Sequence, residues 1–273
     1  MTTGLVGAGA GQGWPSRLGR RLLNERLLIG SAGFVIVLVV WQIASNLGLV
    51  RKLLLSSPLL IWNVAVSDFS KGTIWPHIGI SLAEWIIGFG ISVVIGVTVG
   101  LAIGLFKRFD YLVSMWLTAV YNTPVVALVP LIVLIGGVGM EAKVVVVFLI
   151  AVFAILLSTV AGVRAVDRRY LEIAKSFGAS RSRVLISVIL PSTVPFILTG
   201  LRVGAGRALV GVVVAEFIIA SEGLGFFVTY SAGMLDTPRM YEGLFLFGIF
   251  GIALGEIVRV IERRFDVWRP EAH

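Results

Sequence analysis

The chain has 273 residues, of which 58% are hydrophobic and only 14% are charged, and its mean hydropathy is +0.99. A soluble domain normally carries about 25% charged residues, so this apolar excess excludes an ordinary water-soluble domain and predicts lipid as the solvent for much of the surface. The absence of cysteine excludes disulfides, thiolate metal sites and a cysteine nucleophile, and two histidines, His77 and His273, are too few and too far apart for a metal cluster.

Six apolar stretches are long enough to cross a bilayer core of about 30 Å, which takes about 20 helical residues. The first is too long for the apolar part of a signal peptide, and no small-residue cleavage site ends it cleanly. The sequence therefore predicts an all-α, polytopic membrane protein with a cytoplasmic N-terminal segment (1–26), a transmembrane domain (27–261) and a cytoplasmic C-terminal tail (262–273). The predicted spans are 27–49, 84–106, 112–135, 143–163, 196–220 and 241–261.

Lysine and arginine are unevenly distributed over the segments that connect these stretches. With the N-terminus inside, sixteen of them lie in cytoplasmic segments and five in external ones, namely Arg51, Lys52, Lys71, Lys143 and Arg239. By the positive-inside rule this asymmetry predicts that both termini are cytoplasmic. It also accounts for the net charge of +8 without nucleic acid as a partner.

Three connections have features of their own. Residues 50–82, on the predicted outside, include Pro58 at the start of a short helix expected to lie on the membrane surface. Residues 221–240, also outside, are too interrupted to span and are expected to re-enter the membrane or to lie as a lid. Residues 164–195 form a cytoplasmic loop of about thirty residues, and loops of that length in a compact protein are uncommon unless they are functional.

The loop 164–195 is predicted to contain two short helices that meet at a glycine. Asp167 is expected to cap a helix over 168–177, Gly178 to end it, and Ser180 to cap a second helix that runs to Pro191. Such a unit cannot span a membrane, carries both signs of charge and has no catalytic constellation. We interpret it as a surface for a cytoplasmic partner, with a charged loop that binds nothing as the alternative.

Within this loop, Glu172 and Ala174 precede Gly178, and Leu190-Pro191 follows, with thirteen residues from the glycine to the proline. This spacing resembles the EAA signature of bacterial ABC importer permeases, with Ile173 where the family has a small residue. The resemblance implies a type I ABC importer permease fold, the bacterial inner membrane, and a coupling helix that docks on an ATPase subunit. The coupling residues that it implies are Glu172, Ala174, Lys175, Gly178, Ala179, Ser180, Arg181, Leu190 and Pro191.

The resemblance covers about residues 50–268 and is closest to permeases of the nitrate, sulfonate, taurine and bicarbonate group. Pairs such as Ser57-Pro58 and Gly200-Leu201, and the stretch 124–139, carry it. It implies a small anionic solute, with nitrate, a sulfonate, bicarbonate and a thiamine-precursor pyrimidine left open. The family usually has arginine where Glu84 stands and an apolar residue at the position of Arg207.

The same resemblance implies the partners. They are two cytoplasmic ATPase subunits that hold ATP and Mg, a second copy of the permease or a homologous one, and a periplasmic or lipid-anchored solute-binding protein. This chain itself is expected to be non-catalytic and to hold no cofactor, and it has no Gly-x4-Gly-Lys-Ser/Thr loop for ATP.

Charged and polar residues within the spans are candidates for the translocation path. Arg207 lies about 16 Å into the fifth span, where an exposed charge costs at least about 2.5–3.5 kcal/mol. We expect it either to give the path a positive potential or to pair with an acidic residue such as Glu84 or Glu216. Glu216, near the outer end of the same span, is also assigned to the path.

In the third span, Pro124 is expected to bend the helix, and polar residues beside such a bend often line a cavity. Tyr121, Asn122 and Thr123 are therefore assigned to the path, with Thr123 bonding to the interrupted backbone as the alternative. In the second span, Gly96, Gly100 and Gly104 share one face and predict close helix packing.

Two other classes of function predict features that differ from those of an importer. A secondary transporter or channel predicts internal repeats and acidic residues in mid-membrane for ion coupling, and no convincing repeat is present. A membrane-embedded enzyme needs a catalytic group at depth, and the predicted spans contain no cysteine, histidine or paired-carboxylate set.

Overall fold

The computed structural model describes residues 16–48, 55–219 and 222–263. Over these ranges the chain is helical and contains no strand. The described residues up to Leu60 form one compact unit, and those from Ile61 to Arg263 form a second. The helices are α1 (Ser16–Asn46), α2 (Pro58–Lys71), α3 (Trp75–Leu105), α4 (Lys107–Asn122), α5 (Val125–Gly136), α6 (Met140–Arg164), α7 (Arg168–Ser176), α8 (Arg181–Val184), α9 (Leu190–Ile218), α10 (Leu224–Gly233) and α11 (Thr237–Arg263).

Five of the described helical segments are long and apolar enough to cross a membrane. They are Ile29–Asn46 of α1, all of α3 and α6, the run Arg181–Ile218 that contains α9, and Thr237–Ile261 of α11. A sixth crossing exists if α4 and α5 are taken together. The predicted all-α, multi-span architecture is therefore confirmed.

The predicted third span, 112–135, contains the bend expected at Pro124, and this bend divides it into two helices, α4 and α5. The axes of α4 and α5 differ by 99°. The break lies at Thr123–Pro124, where both residues have extended backbone angles. Because proline has no N–H to continue the α4 ladder and restricts the residue before it, α4 ends at Asn122 and a new helix begins after Pro124.

The second span begins earlier than the apolar pattern predicted. Helix α3 starts at Trp75, not near residue 84, so it takes up the last part of the predicted external segment 50–82. Pro76 lies in its first turn, where backbone N–H groups have no partner within the helix, so the missing N–H of proline costs no hydrogen bond. The short helix predicted from Pro58 is confirmed as α2.

A stripe of small residues joins α3 to α6. Gly88 lies against Val147, Gly96 against Ile155, Gly100 against Thr159 and Gly104 against Val163, and an added Cβ at any of them would come within 3 Å of its partner. The partners are 59 residues apart in each pair, so the two helices run parallel in one constant register. The packing role predicted for Gly96, Gly100 and Gly104 is confirmed.

Helix α9 packs on α6 in the opposite direction. Gly200 lies against Ser158, Gly204 against Ile155, and Gly211, further along α9, against Val147 near the start of α6. The core formed by α3, α6 and α9 is extended by α10 and α11, whose Leu224, Phe227, Phe247 and Leu254 are buried with it. Residues 221–240 therefore contain a short packed helix, α10.

The sequence predicted that the helix capped by Ser180 ends at Pro191. In the structure this helix does not end there. It passes through a π-helical turn, Leu185–Ile189, and continues as α9 with Pro195 inside it. In the π turn the N–H of Leu190 bonds to the carbonyl of Leu185. This wider turn lets the backbone pass the proline ring of Pro191, which would clash with a carbonyl one regular turn earlier. The second half of the loop, from Arg181, and the fifth span are thus one continuous helix.

Candidate functional site

The connection between α6 and α9 has the predicted cap-and-turn structure. The Asp167 carboxylate accepts the N–H of Arg169 at 2.9 Å, and the Ser180 hydroxyl accepts the N–H of Arg183 at 3.4 Å. Gly178 has a φ of 71°, a conformation that glycine adopts without strain. Helices α7 and α8 contain no buried residue, so they hold no part of the core.

An apolar stripe runs along this exposed element. Tyr170, Ile173 and Phe177 are spaced by three and four residues, which places them on one face of α7 and its C-terminal end. All three are exposed, and Phe177 has 87% of its surface accessible. An exposed aromatic of this kind on a polar loop is typical of a protein-binding surface.

The predicted coupling residues are divided between the tip of the loop and its stem. Gly178, Ala179 and Ser180 lie in the turn between α7 and α8, and Arg181 begins α8. Glu172 and Lys175 are exposed on α7. Leu190 and Pro191 lie about 14 Å further along the helix at 1.5 Å per residue, beyond the π turn, and are half-buried. A displacement of the tip therefore reaches α9 through unbroken helix.

The predicted path residues at the α4–α5 break take different positions. Tyr121 is exposed, and its ring lies 5.5 Å from that of Phe153. Asn122 is exposed as well. The Thr123 hydroxyl donates to the carbonyl of Ala119 at 2.9 Å, which satisfies the backbone freed by the break.

Arg207 is exposed at the edge of the α9 face that packs on α6, one turn from Gly204 and Gly211. Its neighbours Ala205 and Ala208 are buried, whereas Arg207 and Gly206 are exposed. Within the described ranges Arg207 makes no salt bridge. The expected pairing with Glu84 or Glu216 is wrong, because both of those side chains are buried and bonded to other groups.

Glu84 pairs with a lysine that the sequence had placed outside the membrane. The Lys143 ammonium lies 2.9 Å from the Glu84 Oε1 atom and also donates to the backbone carbonyl of Glu222 at 2.7 Å. Glu84 is completely buried and Lys143 is 2% exposed. This pair continues the glycine stripe, since Glu84 lies one turn before Gly88 and the pair has the same separation of 59 residues.

Glu216 anchors the N-terminus of α10 and does not line a path. Its carboxylate accepts the hydroxyl of Ser81 and the N–H of Gly225, both at 2.5 Å. Ser81 in turn accepts the N–H of Leu224 at 2.9 Å. Glu216 is fully buried and both of its oxygens accept hydrogen bonds, so it does not face a path in this structure, contrary to the prediction.

A second ion pair joins α2 to the beginning of α11. The Arg239 guanidinium donates to both oxygens of Asp68, at 2.7 and 3.2 Å, and to Asp236 at 2.9 Å. These hydrogen bonds hold the pKa of the Asp68 carboxyl below its ordinary value, although burial of the carboxyl acts in the opposite direction. Arg239 therefore serves as a clamp on α2.

Residues 92–267 match the family model described as "binding-protein-dependent transport system inner membrane component". The chain belongs to this family. The permease is 32% identical over 255 residues to the taurine transport system permease protein of Escherichia coli (strain K12), a match that covers 91% of this chain and 92% of that one. It is 30% identical over 238 residues to the formylaminopyrimidine transport permease protein of Halalkalibacterium halodurans, covering 87% and 94%.

A crystal structure of an amino acid ABC transporter shares the fold. It superposes on the permease with a TM-score of 0.57 at 20% identity, and the match covers 73% of this chain and 97% of that one. The chain is therefore the membrane-spanning permease subunit of an ABC importer, as the loop signature predicted.

Two groups of residues in the permease were missed by sequence reasoning. The stripe Tyr170, Ile173 and Phe177 could have been found from its helical spacing inside the loop. Lys143 was counted as an external charge, although its position in the fourth span matches that of Glu84 in the second. The stripe of small residues, followed back from Gly104 at four-residue steps, would have led to Glu84.

Proposed function

We propose that the permease forms, with a second copy of itself, the path of an ATP-driven importer for a small anionic solute, and that its α7–α8 loop docks on a separate cytoplasmic ATPase subunit. The observation that carries this proposal is the exposed stripe ending at Phe177, which stands on an element without any buried residue. ATP and Mg belong to the ATPase subunits, one for each permease copy, and this chain takes no part in hydrolysis.

The stem of the loop supports a mechanical role for docking. The run from Arg181 to Ile218 is helical throughout, so closure of two ATPase subunits on ATP would draw the two loops together and tilt both copies of α9. Both termini are then cytoplasmic, in accord with the distribution of lysine and arginine. In this orientation, helix α10 and the Asp68–Arg239 clamp lie on the external side, where a solute-binding protein would release its solute.

Replacing Phe177 with alanine tests the docking proposal. We expect the variant to bind its ATPase at least about 30-fold less tightly, because exposed aromatic anchors at interface centres typically contribute about 2 kcal/mol or more. The measurement is co-purification of the ATPase from native membranes, followed by ATP-driven uptake in proteoliposomes. Phe106→Ala is the matched control, since Phe106 is 62% exposed at the junction of α3 and α4. Solute flux without ATP would instead make the protein a secondary transporter or channel.

The solute is proposed to be a small organic anion of the sulfonate type. The Escherichia coli relative is named as a taurine permease, and taurine carries a sulfonate group. The second relative is named as a formylaminopyrimidine permease, which shows how widely substrates vary among relatives of about this identity. Arg207 supports the anionic class. Arg207 is exposed about 16 Å from the C-terminal end of α9 at Ile218. Because contact between a charge and lipid is unfavourable at that depth, a water-filled path between the two copies accommodates it best.

Replacing Arg207 with glutamine is expected to lower the uptake of an anionic solute about tenfold, because one charge that stabilises the anion at mid-path is lost. Arg207→Lys should keep most of the uptake, since the lysine preserves the charge. Both variants should retain the ATPase as well as the wild type does. Normal uptake and normal solute range in Arg207→Gln would remove Arg207 from the path and leave the docking proposal intact.

A further inference from the structure

The buried charges where α3, α6 and α9 meet do not balance. One ammonium, that of Lys143, faces two carboxyl groups, those of Glu84 and Glu216. All three side chains are at most 2% exposed. A net charge buried in an apolar setting is strongly unfavourable, and proteins avoid it by pairing the charge or by neutralising it.

The hydrogen bonds show which oxygen lacks a partner. Glu216 receives a donor on each of its two oxygens, from Ser81 and from the N-terminus of α10. Glu84 receives Lys143 on Oε1, whereas its buried Oε2 atom receives no donor. Ser81 and Glu84 lie one turn apart on the same face of α3, so the Glu84 carboxyl lies beside that of Glu216.

The remaining groups around the cluster supply no second cation. His77, two turns before Glu84, accepts the N–H of Gly223 on Nδ1, and a ring nitrogen that accepts carries no proton. Glu222 contributes its backbone carbonyl, and its own side chain is exposed. Helix α10 contributes backbone N–H groups and no charged side chain. Among the described residues, Lys143 is the cation that the two carboxyl groups share.

We propose that Glu84 and Glu216 form a proton-binding site in the permease, with the proton on Oε2 of Glu84. The O–H group then donates to Glu216, which removes the like-charge contact and gives the orphan oxygen a partner. The cluster becomes neutral, with one ammonium, one carboxylate and one carboxylic acid. Two neighbouring carboxyl groups that share one proton are an established arrangement in proteins.

A cavity beside the cluster gives the proton a route to solvent. It has a volume of about 270 Å³ and is lined by Glu84, Lys143 and the exposed residues Met140 and Glu222. A cavity of this size holds several water molecules, each of which takes about 30 Å³ in the liquid. The proton occupancy of Glu84 therefore sets the charge at this end of the permease, where α10 is anchored.

Infrared spectroscopy of the full-length permease in nanodiscs tests the proposal. The wild type is expected to show the carbonyl-stretch band of a protonated carboxylic acid, shifted in D₂O, and Glu84→Gln should remove it while keeping the thermal midpoint of the wild type. Glutamine reproduces the protonated state because its amide N–H can donate to Glu216 as the O–H does. The measurement needs neither ATPase nor solute, so its outcome is independent of the proposed import function.

Two further variants make the result decisive. Glu242, in α11, is a second buried carboxyl whose oxygens both lack a partner, and it can give a band of its own. Glu242→Gln is therefore the background in which the band of Glu84 is measured, and that band must remain in it. Glu216→Gln should abolish the band as Glu84→Gln does, because Glu84 then becomes the sole counter-ion of Lys143. A band that persists when either Glu84→Gln or Glu216→Gln is combined with Glu242→Gln overturns the proposal. So does a wild type without the band whose thermal midpoint rises with added ammonium chloride, since a bound cation would then neutralise the cluster.

Discussion

Replacing Lys143 with methionine is expected to destabilise the permease by about 3–5 kcal/mol, the range found when one partner of a buried ion pair is removed. The loss has two sources in the structure. Glu84 and Glu216 would be left buried without a cation, and the carbonyl of Glu222 would lose the donor that closes the connection between α9 and α10. Thermal unfolding followed by tryptophan fluorescence should show a midpoint lower by about 5–15 °C.

Two controls distinguish this loss from a general effect of removing lysine. Lys71→Met removes an exposed lysine at the end of α2 and should leave the midpoint within about 1–2 °C, because most exposed charges contribute little to stability. Glu84→Gln should also be mild, since glutamine can still accept from Lys143. If Lys143→Met unfolded at the midpoint of the wild type, the pair would contribute no more than a surface ion pair.

The spans and their packing face were predictable because both follow from local patterns. Apolar length identifies a helix that can cross a membrane, and small residues at four-residue spacing identify the face along which a second helix can approach. Gly96, Gly100 and Gly104 therefore indicated close packing correctly. The partner helix was not predictable, because the 59-residue register with α6 is set by contacts along the whole of both helices.

The break in the third span was predictable in position but not in size. Pro124 indicates a bend in any helix, since it removes one hydrogen bond and disfavours helical geometry before it. The angle of 99° depends on where α5 packs after the break. Val129 of α5 is buried with Val146 of α6 and Ala215 of α9, and these contacts join segments that are distant in sequence.

The membrane charges mark the limit of sequence reasoning most clearly. The depth of Arg207 followed from counting residues along the helix, but its azimuth relative to α6 depends on the packing of Gly204 and Gly211. The same packing buries Glu216 on the opposite side. One helix thus carries one charge inward and one outward, and only the tertiary structure assigns each to its side.

Replacing Gly178 with arginine is expected to abolish import while leaving the spans folded. Gly178 has a φ of 71°, where a residue with a Cβ is strained by about 1–2 kcal/mol. Its missing Cβ has no atom within 4 Å, so the new side chain would project from the turn beside Phe177. We expect ATPase retention and ATP-driven uptake to fall at least about 30-fold, the equivalent of a 2 kcal/mol interface contact.

Gly72→Arg separates loss of docking from backbone strain. Gly72 has a φ of 80° and also has open space around its missing Cβ, but it lies in the turn between α2 and α3, at the other end of the spans. Both variants carry the same added charge and comparable strain, so their thermal midpoints should fall by similar amounts. If the loop docks on the ATPase, only the Gly178→Arg variant should fail to retain the ATPase subunit. Equal loss of the ATPase in both variants would mean that strain alone disrupts the complex, and the α7–α8 turn would then have no special part in coupling.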